Sequence, residues 1–158
     1  MIKLRYRALL LVSLSLVTLG VWSMGLFDFM KVCLFSEVNG VVTLEGKPVA
    51  GAMVIRTARF NSDIYSDSVI TDGEGRYHFD AIYTKSLKKI TSMAPLVPQE
   101  LTITHAGSEY LGWVMNKTNY DMNGEIGRSM SLVCELTAGT TLKKLPDGKS
   151  IDGICIVE

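Results

Sequence analysis

Residues 38–79 read VNGVVTLEGKPVAGAMVIRTARFNSDIYSDSVITDGEGRYHF, a series of short apolar runs divided by Gly, Pro, Asn and Asp. Val38 to Leu44 predicts a first strand, and Glu45-Gly46-Lys47-Pro48 a turn, because Gly supplies unusual backbone angles and Pro fixes its own φ. Ala52 to Ala58 predicts a second strand, with Met53, Ile55 and Thr57 opposite Val54 and Arg56. Ser66 to Thr71 predicts a third. Asp72-Gly73-Glu74-Gly75 reads as a tight turn into Arg76 to Asp80, giving a hairpin whose returning strand puts Tyr77 and Phe79 on one face.

The same texture continues downstream, and no stretch keeps a helical period. Tyr83 to Met93 admits either a turn of helix or a loop, and Pro95 and Pro98 bracket a break. Leu101 to His105 alternates as a half-buried strand should. Glu109 to Asn116 places Leu111, Trp113 and Met115 on one side, with Tyr110 opposite Trp113. Ser129 to Leu136 aligns Met130, Leu132, Cys134 and Leu136. Pro146-Asp147-Gly148 turns the chain toward a last strand, Ile154 to Val157. About eight short strands with regular turn signals predict an all-β fold, an antiparallel β-sandwich.

Within the opening stretch, Val38-x-Gly40-x-Val42, Gly46-x-Pro48-Val49-x-Gly51-Ala52-x-Val54 and Thr71-Asp72-x-x-Gly75-x-Tyr77-x-Phe79 form a pattern. It resembles the start of a carboxypeptidase regulatory-like domain, one of the transthyretin-like (prealbumin-like) sandwiches; beyond Asp80 the chain looks like a small bacterial variant of that architecture. The resemblance implies a sandwich of seven or eight strands used for binding or as a spacer in exported proteins. It also implies that Gly51-Ala52 are small because strands pass closely there. One branch of the group hydrolyses a purine-pathway intermediate through histidines, an arginine and a Tyr-Arg-Gly-Ser terminus. This chain ends Ile154-Cys155-Ile156-Val157-Glu158, so that activity does not carry over.

Ahead of the domain, Lys3, Arg5 and Arg7 precede an uncharged run from Ala8 to Phe27. A helix of about twenty apolar residues spans the hydrocarbon core of a bilayer, and basic residues before it favour a cytoplasmic N-terminus. Residues 1–30 therefore read as a signal-anchor or a signal peptide, and 37–158 as the β domain, placed in the periplasm or outside the cell. The run exceeds a usual h-region, which favours an uncleaved inner-membrane anchor. Thr18/Gly20 and Ser23/Gly25 are weak cleavage signals, and cleavage stays open as the second reading. Cys33 is left over, for an intermolecular bridge or simply within the edge of this segment.

Charge and side-chain chemistry narrow the function. Lys plus Arg equals Asp plus Glu at 16 each. No basic stripe suggests nucleic acid, and Lys85, Lys88 and Lys89 read as a solvated face. The two histidines, His78 and His105, read as surface residues. No HExxH, paired-cysteine zinc spacing or nucleophile elbow is present. Asp67, Asp72 and Glu74 fit turns better than a calcium loop. The sequence thus gives no catalytic residue, no cofactor and no metal ligand. Trp113 reads as core, while Tyr65, Tyr83 and Tyr120 fall in loops or at strand ends. Of three cysteines, Cys134 and Cys155 in the last two strands are placed to form a disulfide in an oxidising compartment.

With the anchor and one compact domain, the expected function is a non-enzymatic protein-binding module of the cell envelope. An immunity protein against an envelope-targeted bacterial toxin fits that description. The alternative is a structural or carbohydrate-binding envelope domain.

Overall fold

The computed structural model describes residues 30–87, 95–145 and 148–158. The N-terminal apolar run, Lys88, Lys89 and Pro146-Asp147 lie outside the described residues. Among the described residues no helix is long and apolar enough to cross a membrane.

Two sheets carry the fold. In the first, β2 (Val38–Leu44) is flanked on one side by β10 (Met130–Glu135) and on the other by β6 (Arg76–Phe79) and the two-residue β3 (Lys47–Pro48). Beyond β10 lies β13 (Cys155–Val157). The second has the order β5 (Asp63–Ile70), β4 (Met53–Phe60), β8 (Val97–His105), β9 (Ser108–Lys117). Their inner faces share one core, with Val38, Val42, Tyr77, Met130 and Leu132 from the first sheet. Val54, Leu101, Ile103, Trp113 and Met115 come from the second. The all-β, sandwich-like expectation therefore holds, and the alternating residues of each strand supply the shared layer.

Several finer readings change. The sheets are not wholly antiparallel: β10 runs parallel to β2, with Met130 opposite Val38 and Glu135 opposite Thr43. A parallel pair needs a long crossover, and here the entire second sheet lies between the two strands. Nor do Ser66–Thr71 and Arg76–Asp80 form a hairpin. β5 pairs along all its length with β4, whereas β6 pairs with β2 in the other sheet. The Asp72–Gly75 turn thus carries the chain from one sheet to the other. Gly51 is small for a different reason than close strand packing. An added Cβ would meet nothing within 4 Å, but its φ is +76°, a left-handed conformation that favours glycine.

On β9 the strict alternation breaks at Gly112. Leu101 faces Trp113 and Thr102 faces Leu111, so one residue is extra. A Cβ at Gly112 would come to 2.8 Å from the Leu101 carbonyl oxygen. The bulge turns Leu111 outward, 37% exposed, while Trp113 stays fully buried. Tyr110 is consequently no outward counterpart of Trp113, and it packs against the core.

Five strands lie outside the sequence-based set. Besides β3 these are β1 (Lys31–Phe35), β7 (Ile82–Lys85), β11 (Lys143–Lys144) and β12 (Ser150–Ile151). β1 and β7 pair with each other, as do β11 and β12. The folded part thus takes in residues ahead of Glu37. Val32, Cys33, Leu34 and Phe35 are all buried, as a continuous apolar strand covered on both sides should be. Cys33 is accordingly a core residue of β1, not the fringe of an anchor.

Glu135 at the end of β10 fastens the β2–β3 turn. Its carboxylate accepts from the Thr137 hydroxyl at 2.6 Å, the Gly46 and Glu45 N–H groups at 2.9 Å, and the Thr43 hydroxyl at 2.9 Å. The Thr137 hydroxyl and then the backbone donors hold its pKa down to about 2 from 4.5. This stabilisation is complete above the ordinary carboxylate value and is lost as pH falls through about 2. Urea midpoints measured across that window will fall steeply with acid, and Glu135→Gln will flatten part of the slope. An unchanged slope in the variant would refute the assignment.

Candidate functional site

The inward pattern of the second sheet contains residues that do not belong in an oily core. On β4, Arg56 alternates with Val54 and Ala58; on β8, Gln99 sits between Val97 and Leu101; β9 ends on Lys117. All three are buried, as are Ser36 after β1 and Glu125 in the loop between β9 and β10. Buried polar groups persist only when paired, and these are joined through Ser36 and Glu125.

Glu125 is the hub. Its Oε1 accepts from Lys117 Nζ at 3.0 Å, Gln99 Nε2 at 2.8 Å and the Ser36 N–H at 2.9 Å. Its Oε2 accepts from the Ser36 hydroxyl at 2.5 Å. That hydroxyl oxygen in turn accepts from the Asn123 N–H at 2.7 Å, pinning the loop. Gln99 Nε2 also donates to the Leu34 carbonyl at 2.8 Å, so β1 is tied to β8. Burial alone would raise the Glu125 pKa. The Lys117 ammonium and the donors from Ser36 and Gln99 outweigh it, and the carboxyl is held below its ordinary value. Lys117 and Glu125 side chains are both 0% exposed.

Arg56 extends the cluster toward the surface. Its guanidinium grips Asp67 of β5 at 3.0 and 2.6 Å, donates to the Ser36 carbonyl at 3.4 Å, and lies over the Phe79 ring at 4.5 Å. The forked geometry is the one arginine favours with carboxylates. Beside it, the Cys33 sulfur lies 3.8 Å from the Ser36 hydroxyl. Burial pushes the Cys33 thiol above its ordinary value, which keeps it protonated and weakly nucleophilic.

At the surface, a cleft of about 450 Å³ opens on the first sheet, bordered by Asn39, Asp72, Arg76, His78 and Glu158 over Tyr77 and Leu132. His78 Nδ1 shares a 2.9 Å hydrogen bond with Asn39. Asp72 Oδ1 accepts from the Glu74 and Arg76 N–H groups at 2.9 and 2.8 Å, which makes it a turn residue. Among the described residues no group of three or more His, Cys, Asp or Glu is arranged to hold a metal ion.

The structure brings together one pair of residues singled out from sequence. Cys134 and Cys155 face each other across β10 and β13 and form a disulfide. The others are dispersed. His78 borders the cleft, His105 ends β8, and Asp67 belongs to the Arg56 pair. Tyr65 donates to Thr84, Tyr83 carries the Lys31 ammonium 3.9 Å from its ring centre, and Tyr120 meets Phe60 edge-on. Ser36, Gln99, Lys117 and Glu125 escape a reading by motif. Lys117 continues the inward register of Trp113 and Met115, and Gln99 that of Leu101; those registers were the available signal.

Residues 38–139 match the family described as a domain of unknown function (DUF6795). The chain belongs to the DUF6795 family. The matched stretch takes in Arg56, Gln99, Lys117 and Glu125, while β1 with Ser36 precedes it and Cys155 follows it. Comparison with curated proteins and with solved structures gives no match.

Proposed function

We propose that this DUF6795 chain is a non-enzymatic protein-binding module of the bacterial cell envelope, a transthyretin-like sandwich of the carboxypeptidase regulatory-like kind. The hydrophobic N-terminal run holds it at the inner membrane or is removed on export, and the domain lies in the periplasm. An immunity protein that neutralises an envelope-targeted toxin is the version we favour.

The observation that carries the binding reading is the outer face of the second sheet. Ile70 and Met53, directly opposed on β5 and β4, are 52% and 42% exposed, and Leu111 is 37% exposed on the same face. Met53 and Ile70 adjoin across the two strands, and exposed aliphatics set side by side mark contact surfaces. The reactive side chains of the polar cluster, by contrast, are sealed from any substrate. The Cys134–Cys155 disulfide is compatible with the proposed compartment.

Capture of partners by the full-length chain from detergent-solubilised host membranes tests the reading. A stoichiometric protein partner is expected, and Met53→Lys with Ile70→Lys should weaken its recovery at least tenfold. Binding of glycans with no protein captured would favour a carbohydrate-binding or structural role instead.

A further inference from the structure

Lys31 opens β1 and Lys85 closes β7, and the two are directly opposed in the antiparallel pair. Cross-strand partners point to the same face, so the two exposed ammonium groups emerge side by side at one end of the domain. The Ser86 N–H donates to the Met30 carbonyl at 2.9 Å, which carries the pairing one step further toward the N-terminus. Tyr83, opposite Cys33, has its ring centre 3.9 Å from the Lys31 ammonium and is 39% exposed. Leu87 follows at the same end, 67% exposed. Cations, a phenol and an exposed aliphatic side chain thus meet at one place, the composition that suits a membrane–water interface.

The same end receives the chain from the apolar run. Phe27 closes that run, and Lys31 stands four positions later. Four residues span at most about 14 Å, and the headgroup layer on each side of a bilayer is roughly 5–8 Å deep. With the run anchored in a bilayer, the reading on which this inference rests, the Lys31 Cα stays within about one screening length, about 8 Å, of the headgroups. β7 runs back antiparallel to β1, so Lys85 and Leu87 arrive at that level too.

We propose that Lys31, Tyr83, Lys85 and Leu87 are a docking surface for anionic phospholipid headgroups, which seats the base of the domain on the bilayer. The two ammonium groups meet lipid phosphates, and the Tyr83 ring and Leu87 contact the boundary between headgroups and acyl chains. Each lysine near an anionic membrane surface favours the docked state by roughly fivefold. Lys85 is then a membrane contact and not part of a solvated face. Docking also fixes the orientation of the domain, which a short link alone would leave free to swing.

The test uses the full-length chain in vesicles of phosphatidylcholine, with and without an equal part of phosphatidylglycerol. Leu87→Cys carries a fluorophore, the buried Cys33 and the bridged cysteines being out of reach of the label, and quenching by nitroxide-headgroup lipid is read. Quenching is expected to be several-fold stronger with phosphatidylglycerol. It should fall to the phosphatidylcholine level in Lys31→Gln with Lys85→Gln, and also in the unsubstituted lysine background at high salt, a readout that needs no lysine variant to fold. Equal quenching in the two kinds of vesicle, or quenching indifferent to both salt and the lysine pair, overturns the proposal while leaving the anchor in place. A chain that fails to float with either vesicle overturns the anchored reading, and this proposal with it.

Discussion

Replacing Lys117 by Met will destabilise the domain by roughly 3–5 kcal/mol, the range seen when one partner of a buried pair is removed. The ammonium is one of four contacts on the Glu125 carboxylate, and the only cationic one among the described residues. Methionine fills similar space but leaves a carboxylate in the core facing apolar carbon. The chain can answer only by protonating Glu125 or by opening the 118–129 loop, and either costs stability. A second substitution, Glu125→Leu, will recover part of it. Recovery is incomplete because the Ser36 N–H and hydroxyl and the Gln99 amide all lose their acceptor. Urea unfolding followed by tryptophan fluorescence measures both variants. A loss below about 1 kcal/mol for Lys117→Met, the level of a solvent-exposed pair, would show that the cluster is hydrated and not sealed.

Removing the disulfide by Cys134→Ala with Cys155→Ala should cost about 3 kcal/mol in the chain-entropy account of cross-links. The bond spans a sequence separation of 21 and holds β13 to the first sheet. Only three residues of β13 pair with β10, so the strand has little else to resist fraying. The preceding segment keeps independent contacts, Asp152 with Val114 and Ile154 with Leu111 through backbone hydrogen bonds. Hydrogen exchange in the variant should therefore rise first in β13 and at Leu132 to Cys134, with β4 and β8 still protected. Uniform loss of protection would mean that the bridge supports the whole core.

The sequence made the strands of the two sheets, β3 apart, legible because their inner residues alternate with outer polar ones. β2 was read with the boundaries it has, and Cys134 and Cys155, read as partners because they fall in the last two strands, form the bond. What alternation cannot convey is which sheet a strand joins. A tight turn such as Asp72–Gly75 looks the same whether it closes a hairpin or crosses the core. β1 was hidden for another reason: Val32 to Phe35 is apolar throughout and follows closely on a longer apolar run, so the two merge in sequence. The polar cluster was hidden because its parts lie far apart in the chain. Ser36 and Glu125 are 89 positions apart, and neither stands in a motif. Lys117 and Gln99 gave signs of themselves, as polar side chains where the strands' registers demanded apolar ones.

Placement of this domain beyond the membrane, in an oxidising compartment, underlies the functional account, and the thiol state of the protein in its own cells tests that placement most directly. Cells are quenched in acid and alkylated before and after reduction, and the cysteine peptides are weighed. The account predicts that Cys134 and Cys155 resist alkylation until reduced, while Cys33 labels once the chain is denatured. Labelling of all three without reduction would place the domain in the cytosol and contradict it.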